Sequence, residues 1–440
     1  MKFKTVLGQS PGVSFREALF RGLAPDGSLY VPERLPRFDQ PFLDTLKKTS
    51  LHKAGKRVAS LFIDEIPEDA LDGILRKATN FPIPLVRLEE GIYLLELFHG
   101  PTLAFKDVGA RFMAEALSYF LGQEERDVTI LVATSGDTGS AVAHGFFNVP
   151  RIKVFILYPS GKISHLQEQQ MTTLGGNIHA IEVDGTFDDC QRLVKQAFGD
   201  WKVTESRTLT TANSINVGRL LPQISYYVWG VAQLMKSEPA DFSAPLVVVP
   251  SGNVGNLTAA VYAKWMGVPI HGFAAATNAN DVLAKYLATG RFTPRSSVQT
   301  FSNAMDVGNP SNLARLQTLY GDDWNRLRKE IDAVTISDQE TLHEIRRTFD
   351  RTGYLADPHT AVGIAAARSM IQRDADCPPI IVPATAHPAK FPHVIEKATG
   401  KKSPIHPTLQ EAMLKPKQSV RIGAEYAEWR DLLSAESVQP

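Results

Sequence analysis

The sequence predicts an α/β protein: two doubly wound, mainly parallel α/β domains and a small, mostly helical N-terminal domain. The chain has 440 residues, more than one average domain of roughly 100–200 residues. From about residue 90, short apolar runs alternate with segments of helical periodicity, which is typical of parallel sheets covered by helices on both faces. Residues 1–90 instead carry scattered prolines and short helical segments, with no strong strand run.

The alternation falls into two blocks, at about 128–200 and 245–390. In the first block we predict strands at 128–133, 152–158 and 178–183 and helices at 140–147, 163–174 and 187–198. In the second block we predict strands at 246–249, 270–275 and 379–382, a helix at 257–266 and a helix-rich stretch at 336–371. Further helices are predicted at 42–48, 67–78, 111–120 and about 216–235. Ligands of open α/β sheets bind beyond the carboxyl ends of the strands, so chemistry is expected in the loops that follow strands.

The composition is that of an ordinary globular protein, with 43% apolar and 21% charged residues. Because 47 basic residues balance 47 acidic ones, we expect no nucleic-acid or membrane partner held by overall charge. The start of the chain lacks the apolar core of a secretory signal, and no apolar run approaches the ~20 residues of a bilayer span. Cys190 and Cys377 lie far apart, which argues against a disulfide framework or a cysteine zinc site. These observations predict a cytoplasmic enzyme.

The segment 251–256, SGNVGN, directly follows an apolar strand and opens an alanine-rich helix. Gly252 and Gly255 allow the backbone to bend tightly, and the start of a helix offers unpaired N–H groups at the positive end of its dipole. This combination suits an anion, most naturally a phosphate. The alternative is a plain glycine-rich turn between a strand and a helix.

Two further polar clusters have both a functional and a structural interpretation. The segment 134–140, TSGDTGS, suits a substrate carboxylate or phosphate, or it caps a helix. The segment 211–219, TANSINVGR, is either an anion clamp or a capped helix with an arginine salt bridge. Its Asn216 and Arg219 are three residues apart and would share one face of a helix.

Lys106 lies in the segment AFKDVG, between an apolar run and a predicted helix. A lysine held among apolar neighbours has a lowered pKa and can form a Schiff base, whereas an exposed lysine is an ordinary surface residue. A last polar loop, 383–390, follows the strand predicted at 379–382. Its His387 and the nearby His393 are separated by prolines and lack the helical spacing of metal ligands, so we expect no metal site.

Seven segments together resemble the threonine synthases of the longer form, a family within the fold-type II pyridoxal-phosphate enzymes. They are HGPTLAFKDVGARFM (99–113), TSGDTGSAVAH (134–144), ANSINVGRLLPQ (212–223), PSGNVGNLTA (250–259), SNAMDVGNPSN (302–312), DPHTAVG (357–363) and TAHPAKF (385–391). They occur in the order of the family, so the combination is specific although no single loop is.

The resemblance implies a tryptophan synthase β-like fold. An N-terminal domain, 1–90, would precede a catalytic region, 91–440, whose two subdomains, approximately 91–240 and 241–440, hold the active site between them. It implies pyridoxal 5′-phosphate as cofactor, Lys106 as the catalytic Schiff-base lysine and Thr385 as the partner of the ring nitrogen. It also implies that the following residues cradle the cofactor phosphate: Gly252, Asn253, Val254, Gly255 and Asn256.

The substrate implied is O-phospho-L-homoserine, which reacts with water to give L-threonine and phosphate by γ-elimination and β-addition. The substrate-binding residues expected on this basis are Thr134, Ser135, Asp137, Thr138, Asn213, Ser214, Asn216 and Arg219. The loop around Asp137 corresponds to one that contacts the cofactor ring oxygen and the substrate carboxylate. Shorter relatives often carry asparagine at this position, and an ionised aspartate cannot donate a hydrogen bond to that oxygen.

Two alternatives stay open at this point. A serine or threonine dehydratase, or a β-replacement enzyme of the same fold, would share the lysine and the phosphate loop. Its substrates lack phosphate, so it would not need the polar cluster at 213–219, whose presence favours the phosphate substrate. A catalytically silent pyridoxal-binding protein is disfavoured by the intact Lys106 and phosphate loop. We expect a monomer or a homodimer.

Overall fold

The computed structural model describes residues 1–238, 242–403 and 405–435. Its strands are β1 (Phe3–Thr5), β2 (Tyr30–Pro32), β3 (Leu85–Glu89), β4 (Ile92–Glu96), β5 (Val128–Ala133), β6 (Ile152–Pro159), β7 (Ile178–Val183), β8 (Thr208–Thr210), β9 (Leu246–Pro250), β10 (Gly272–Thr277), β11 (Ile331–Thr335), β12 (Ile380–Ala384) and β13 (Val420–Ile422). Short 3₁₀ helices lie at Leu46–Lys48, Asn303–Met305 and Pro388–Lys390.

The α-helices connect these strands and cover the sheets. They are α1 (Phe15–Arg21), α2 (Gln40–Asp44), α3 (Leu51–Phe62), α4 (Glu68–Ala78), α5 (Lys106–Leu121), α6 (Asp137–Phe146), α7 (His165–Thr172), α8 (Phe187–Gly199), α9 (Trp201–Ser206), α10 (Val217–Leu220), α11 (Gln223–Ser237), α12 (Gly255–Trp265), α13 (Val282–Thr289), α14 (Leu313–Tyr320), α15 (Trp324–Glu330), α16 (Asp338–Thr352), α17 (Pro358–Arg373), α18 (Pro392–Thr399), α19 (Pro407–Met413) and α20 (Tyr426–Ala435). Among the described helices, none is both long and apolar enough to cross a membrane.

Two mainly parallel sheets form the centre of the molecule, as the alternating pattern predicts. The larger sheet has the strand order β11-β10-β9-β12-β4-β3, and only its edge pair β3–β4 is antiparallel. The smaller sheet has the order β13-β7-β6-β5-β8 and is entirely parallel. Their central strands β5, β9 and β12 are buried at every residue, which is why they read as continuous apolar runs in the sequence.

Each sheet contains a strand from outside the subdomain in which the sequence predicts it. Strand β4, from the segment 91–240, pairs with β12 in the larger sheet, and β13, near the C terminus, pairs with β7 in the smaller one. Local periodicity identifies a strand but carries no information about its distant neighbour, so the sequence did not predict these exchanges. The domain boundaries themselves stay a prediction.

The N-terminal segment contains strands that the sequence did not predict. Strands β1 and β2 are three residues each and pair antiparallel, while β3 lies before residue 90 but belongs to the larger sheet. Runs this short leave little trace in a hydrophobic pattern. The segment is attached to the rest of the chain by hydrogen bonds such as Phe38 N–H to Met266 O, 2.8 Å, and Thr210 Oγ1 to Leu19 O, 3.1 Å.

The helix predicted at about 216–235 is two helices, the four-residue α10 and the longer α11. Pro222 stands between them and becomes the residue that precedes α11. Proline has no N–H group to donate and its ring crowds the preceding turn, so the chain restarts the helix after it. Arg219 is the third residue of the short helix α10.

Candidate active site

The loops that follow three neighbouring strands of the larger sheet lie at the same edge of that sheet. Because β9, β12 and β4 are adjacent and parallel, their carboxyl ends lie side by side. The loop after β9 contains 251–254, Thr385 follows β12, and the segment after β4 leads to Lys106 at the start of α5. The backbone N–H of Phe105 donates to Thr385 O at 2.9 Å, so Lys106 and Thr385 are held close together.

The smaller sheet brings two more loops to the same place. Residues 134–136 follow β5, and 211–216 follow its neighbour β8. The loops of the two sheets are joined directly, since Asn253 Nδ2 donates to Ser214 Oγ at 2.9 Å. Between them lies a cavity of about 500 Å³, within the usual range for small-molecule sites of roughly 300–1,000 Å³. Lys106, Asp137, Arg219, Gly255 and Thr385 all line it.

Lys106 is the first residue of α5, and its side chain is only 13% exposed. Its Nζ lies 3.8 Å from Asp137 Oδ2 and 5.4 Å from the centre of the Phe105 ring. Burial lowers the pKa of Lys106 to about 8; Asp137 opposes this shift, while Lys390 and Arg219 add to it. About a tenth of the lysine is therefore a neutral, nucleophilic amine at pH 7, far more than for an ordinary lysine.

The carboxylate of Asp137 accepts hydrogen bonds from two buried side chains. Its Oδ1 lies 2.7 Å from Lys390 Nζ and accepts from Gln167 Nε2 at 2.8 Å. Burial by itself would raise the pKa of Asp137, but the charges of Lys390 and Lys106 outweigh it and hold that pKa below its ordinary range. In this environment the ionised form of Asp137 is favoured, and an ionised carboxylate only accepts hydrogen bonds; its role at the ring oxygen stays a prediction.

The loop that precedes α12 forms a cradle of backbone N–H groups. No side chain caps α12, and its first turn carries no acidic residue, so its first N–H groups remain available to an anion. Val254 has φ of +64°, a left-handed conformation that strains a β-branched residue. Neither glycine has a positive φ. Gly252 is required for another reason, because a Cβ there would lie 2.8 Å from Met305 Cα.

Two asparagines of the cradle are held by their neighbours. Asn253 donates to Ser214 and accepts from the backbone N–H of Ser311 at 2.6 Å. Asn256 Oδ1 accepts from the hydroxyls of Tyr226 and Tyr227, both at 2.6 Å. Its Nδ2, however, is buried without a partner. An unpaired buried donor beside an uncapped helix start indicates that a ligand completes the site.

Arg219 lines the cavity and is 3% exposed. One of its N–H groups donates to Ala212 O, while Nε is buried without a partner, and within the described residues Arg219 forms no ion pair. Burial lowers the pKa of Arg219 to about 10, so the guanidinium is charged at neutral pH. Arg219 thus forms no salt bridge within the described residues, although the charge of Asp107 acts on it, and the anion-clamp interpretation stays a prediction.

The side chain of Asn216 lies outside the cavity and binds backbone atoms. Its side chain caps α10 by accepting from Gly218 N–H at 2.9 Å and donates to Leu19 O at 2.9 Å and Thr211 O at 3.0 Å. It does not line the cavity. A capping residue takes the backbone direction just before a helix, so Asn216 and Arg219 do not share a face as their spacing predicts.

The remaining predicted substrate residues divide into two groups. Thr134 and Asn213 line the cavity, but their polar atoms mainly hold the loops: Thr134 Oγ1 accepts from Gly136 and Gly139 N–H at 3.0 and 2.8 Å, and Asn213 Nδ2 donates to Ala133 O at 2.8 Å. Ser135, Thr138 and Ser214 also line the cavity and are half-buried.

Sequence reasoning missed three buried residues of this site: Lys390, Gln167 and His359. His359 lines the cavity; its Nδ1 lies 2.7 Å from Asp357 Oδ1, and its Nε2 accepts from Ala304 N–H at 3.1 Å. His359 and Lys390 lie in two of the seven segments that resemble the family, and this resemblance was the only sequence signal that could have identified them. Nothing local distinguishes them from a structural histidine or a surface lysine.

Comparison with known proteins agrees with this geometry. A family model described as "Pyridoxal-phosphate dependent enzyme" matches residues 77–382, and models for the N terminus and C terminus of threonine synthase match 2–79 and 360–432. A threonine synthase from Serratia marcescens is 43% identical over 435 residues, covering 98% of this chain and 99% of the relative. The chain belongs to the threonine synthase family. The α/β fold and the cofactor predicted from the sequence are confirmed.

Solved structures of the family are similar over the whole chain. The crystal structure of threonine synthase from Escherichia coli superposes with a TM-score of 0.93 at 42% identity and covers 99% of this chain and 100% of its own. A pyridoxal-phosphate-bound threonine synthase from Brucella melitensis gives a TM-score of 0.90 at 34% identity, with complete coverage of both chains.

The residues of this chain fit pyridoxal phosphate. The uncapped start of α12 and the unpaired Nδ2 of Asn256 suit its phosphate. Lys106, with its lowered pKa, suits attachment through the aldehyde carbon. Thr385, 6% exposed and lining the same cavity, carries a neutral hydroxyl that suits a ring nitrogen.

Proposed function

We propose that this chain is a pyridoxal-phosphate-dependent lyase of threonine biosynthesis that converts O-phospho-L-homoserine and water into L-threonine and phosphate. One observation carries the proposal: a single cavity contains two separate places for an anion. The uncapped start of α12 is one, and the buried guanidinium of Arg219, without an ion-pair partner among the described residues, is the other. The cofactor phosphate uses the first, which leaves the second for a substrate phosphate.

Bound pyridoxal phosphate supplies an electron sink for negative charge that develops on the substrate carbons. In the proposed arrangement Lys106 Nζ attaches the cofactor, and residues 252–256 hold its phosphate. The hydroxyl of Thr385 meets the ring nitrogen. Because this hydroxyl is neutral, it does not hold that nitrogen protonated as a carboxylate would. The sink is then milder, and transamination is less favoured as a side reaction.

We propose that Lys106 Nζ also moves protons when it is not bonded to the cofactor. A pKa of about 8 allows Nζ both to accept and to donate near neutral pH. We propose that Nζ takes the proton from the α carbon. In the net reaction the α and β carbons each lose one proton, the bond between the γ carbon and the phosphate oxygen breaks, and the γ carbon gains a proton. Water then supplies a hydroxyl to the β carbon and a proton to the α carbon, which gives threonine and phosphate.

The substrate phosphate is proposed to bind Arg219, because a planar guanidinium donates to phosphate oxygens in a fixed, charge-assisted geometry. Ser135 and Thr138, half-buried at the cavity wall beside the start of α6, are proposed to face the other polar groups of the substrate. Ser214 connects the two regions through Asn253 and Asn312. Asn216 is not part of this proposal, because its side-chain amide forms hydrogen bonds with backbone atoms outside the cavity.

The decisive experiment measures inorganic phosphate and threonine formed from O-phospho-L-homoserine, alongside keto acid formed from serine and threonine. We expect phosphate and threonine in equal amounts, a visible absorption band from the bound cofactor, and little keto acid. Rapid keto acid formation without phosphate release would identify a dehydratase. A protein with the band but no activity on any of these substrates would be a silent pyridoxal-binding protein.

Three further expectations are part of the proposal. We propose a cytoplasmic location, supported by the two cysteines, Cys190 and Cys377, which are both free. We propose a monomer or a homodimer, which analytical ultracentrifugation of the purified protein distinguishes. We also propose that residues 1–90 form a domain, which limited proteolysis tests by the position of the first cleavage.

A further inference from the structure

Lys390 is a completely buried lysine that the proposed reaction does not use. It lies in the 3₁₀ helix Pro388–Lys390, and its side chain has no exposed surface. Its Nζ donates to Asp137 Oδ1 at 2.7 Å and to Thr102 O at 2.9 Å. Burying an ammonium group is costly unless it is paired and hydrogen-bonded, so this position is specified by its partners.

The two oxygens of Asp137 face different groups. Oδ1 is taken by Lys390 and by Gln167 Nε2, at 2.7 and 2.8 Å. Oδ2 is directed at Lys106, 3.8 Å from its Nζ. With Oδ1 fixed from two sides, the plane of the carboxylate is fixed, and Oδ2 has a defined distance to the reactive nitrogen.

Lys390 also binds the turn that precedes Lys106 in the chain. Its second acceptor, Thr102 O, belongs to the turn that leads into α5. The backbone N–H and the hydroxyl of Thr102 both donate to Asp107, at 2.9 and 2.6 Å, and Asp107 is the residue after Lys106. One ammonium group therefore connects the carboxylate opposite Lys106 to the segment that carries Lys106.

We propose that Lys390 is a positioning residue for Lys106: with Asp137 it forms a neutral pair that fixes a carboxylate oxygen at the reactive nitrogen without leaving a net negative charge beside the cofactor. The inference rests on the proposed attachment of the cofactor at Lys106. The pair also explains how a carboxylate is tolerated next to an anionic cofactor, since the charge of Asp137 is balanced on its far side.

The charges that face these groups predict what each substitution does. Lys106 faces Asp137, Lys390 and Arg219, and Asp137 also faces His359. Lys390 and Arg219 in turn face the buried Asp107, which none of the substitutions changes. Removing Lys390 leaves the carboxylate to act on Lys106 alone, which favours the protonated form of its nitrogen. Removing the charge of Asp137 leaves Lys390 unopposed, which disfavours that form. The two single changes therefore act in opposite directions, and the double change restores the balance.

The test is a pH titration of the visible band of the bound cofactor in the holoenzyme, together with its thermal unfolding midpoint. In K390M we expect the pH midpoint to rise by about one unit or more, and in D137N to fall by a similar amount, as for removal of one close charge. In D137N/K390M we expect it within about half a unit of the parent, and a thermal midpoint above that of the less stable single variant. Lys417 pairs with Glu168 and Glu182 away from the cavity, so K417M is the matched control and leaves the pH midpoint unchanged.

A purely structural lysine gives a different pattern. K390M would then lower the thermal midpoint without moving the pH midpoint, and that result overturns the proposal, as do single variants that shift the pH midpoint in the same direction. If K390M does not fold, D137N/K390M decides: a folded double variant with a near-parental pH midpoint supports the pair, and an unfolded one overturns it. A parent protein without any visible band refutes cofactor attachment at Lys106 instead. The thermal midpoints of the parent, K390M, D137N and D137N/K390M then still test the pair.

Discussion

Replacing Arg219 with methionine tests the substrate-phosphate site most directly. Methionine keeps much of the apolar stem but removes the charge and every N–H donor. In the structure one of the five guanidinium donors goes to Ala212 O, and Nε has no partner at all. The side chain is 3% exposed and has gained only one protein acceptor, which is a poor arrangement unless an anion completes it.

The size of the expected effect follows from that geometry. A hydrogen bond to a charged group contributes about 1.5–3 kcal/mol, and removing one preorganised donor to a developing anion costs a similar amount. We take about 2 kcal/mol for Arg219→Met. Since each 1.36 kcal/mol is tenfold, kcat/KM for O-phospho-L-homoserine should fall about 30-fold. Threonine carries no phosphate, so its binding to the holoenzyme, followed by the visible spectrum, should change less than about threefold.

The assay compares phosphate release in the parent, Arg219→Met and Arg219→Lys, with the thermal midpoint as a control for folding. The lysine variant keeps the charge but not the planar fork, and should recover only part of the loss. Near-parental turnover in Arg219→Met would refute the clamp. So would a parallel loss of threonine binding, because Arg219 would then shape the whole cavity instead of recognising phosphate.

Four further changes probe the rest of the site. Lys106→Ala should abolish turnover and remove the cofactor band while leaving the far-ultraviolet circular dichroism unchanged; an active variant with a normal band would contradict the assignment. Thr385→Asp should raise protonation of the ring nitrogen and produce transamination products, and an unchanged spectrum with unchanged kinetics would mean that Thr385 does not touch the ring. In Gly252→Ala the new Cβ would lie 2.8 Å from Met305 Cα, so the cofactor dissociation constant should rise about tenfold, roughly 1.4 kcal/mol, whereas Gly73→Ala, with nothing within 4 Å, leaves it unchanged. The rate at which the cofactor-free protein attaches pyridoxal phosphate should rise about tenfold per pH unit and level off near pH 8, because only the neutral Lys106 reacts and its pKa is lowered to about 8; a plateau near pH 10 would contradict this.

The sequence was most informative where structure is local. Strands β5 and β7 have the predicted bounds because a buried parallel strand is a continuous apolar run, and the loops after strands β5, β8, β9 and β12 do converge as the rule for open sheets predicts. Strand β4 joining the larger sheet was not predictable, because its partner β12 lies almost 300 residues away in sequence. A hydrophobic pattern specifies which face is buried but not which strand lies beside it.

The side chains of the site show the same limit. In the sequence, Asn216 and Arg219 carry equal weight as members of one polar cluster. The structure separates them, because the backbone direction before α10 turns Asn216 to Leu19 O and leaves Arg219 at the cavity. Lys390, in contrast, belongs to the site but was not predicted. A single lysine in a polar loop resembles a solvated surface residue, and only its distance to Asp137 reveals a buried charge.

Two of the buried cations, Lys390 and Arg219, also bear on substrate choice. Lys390 is paired with the carboxylate of Asp137, whereas within the described residues Arg219 forms no ion pair and only the more distant charge of Asp107 acts on it. A substrate with a phosphate supplies that missing partner. Serine or threonine does not, and would leave a desolvated guanidinium facing an incompletely filled cavity. A site with buried donors rejects an analogue that lacks the matching group much more strongly than an apolar pocket rejects a missing methylene. The unpaired state of Arg219 thus argues against a dehydratase on physical grounds, because in such an enzyme every productive complex would carry the full cost of that unmatched charge.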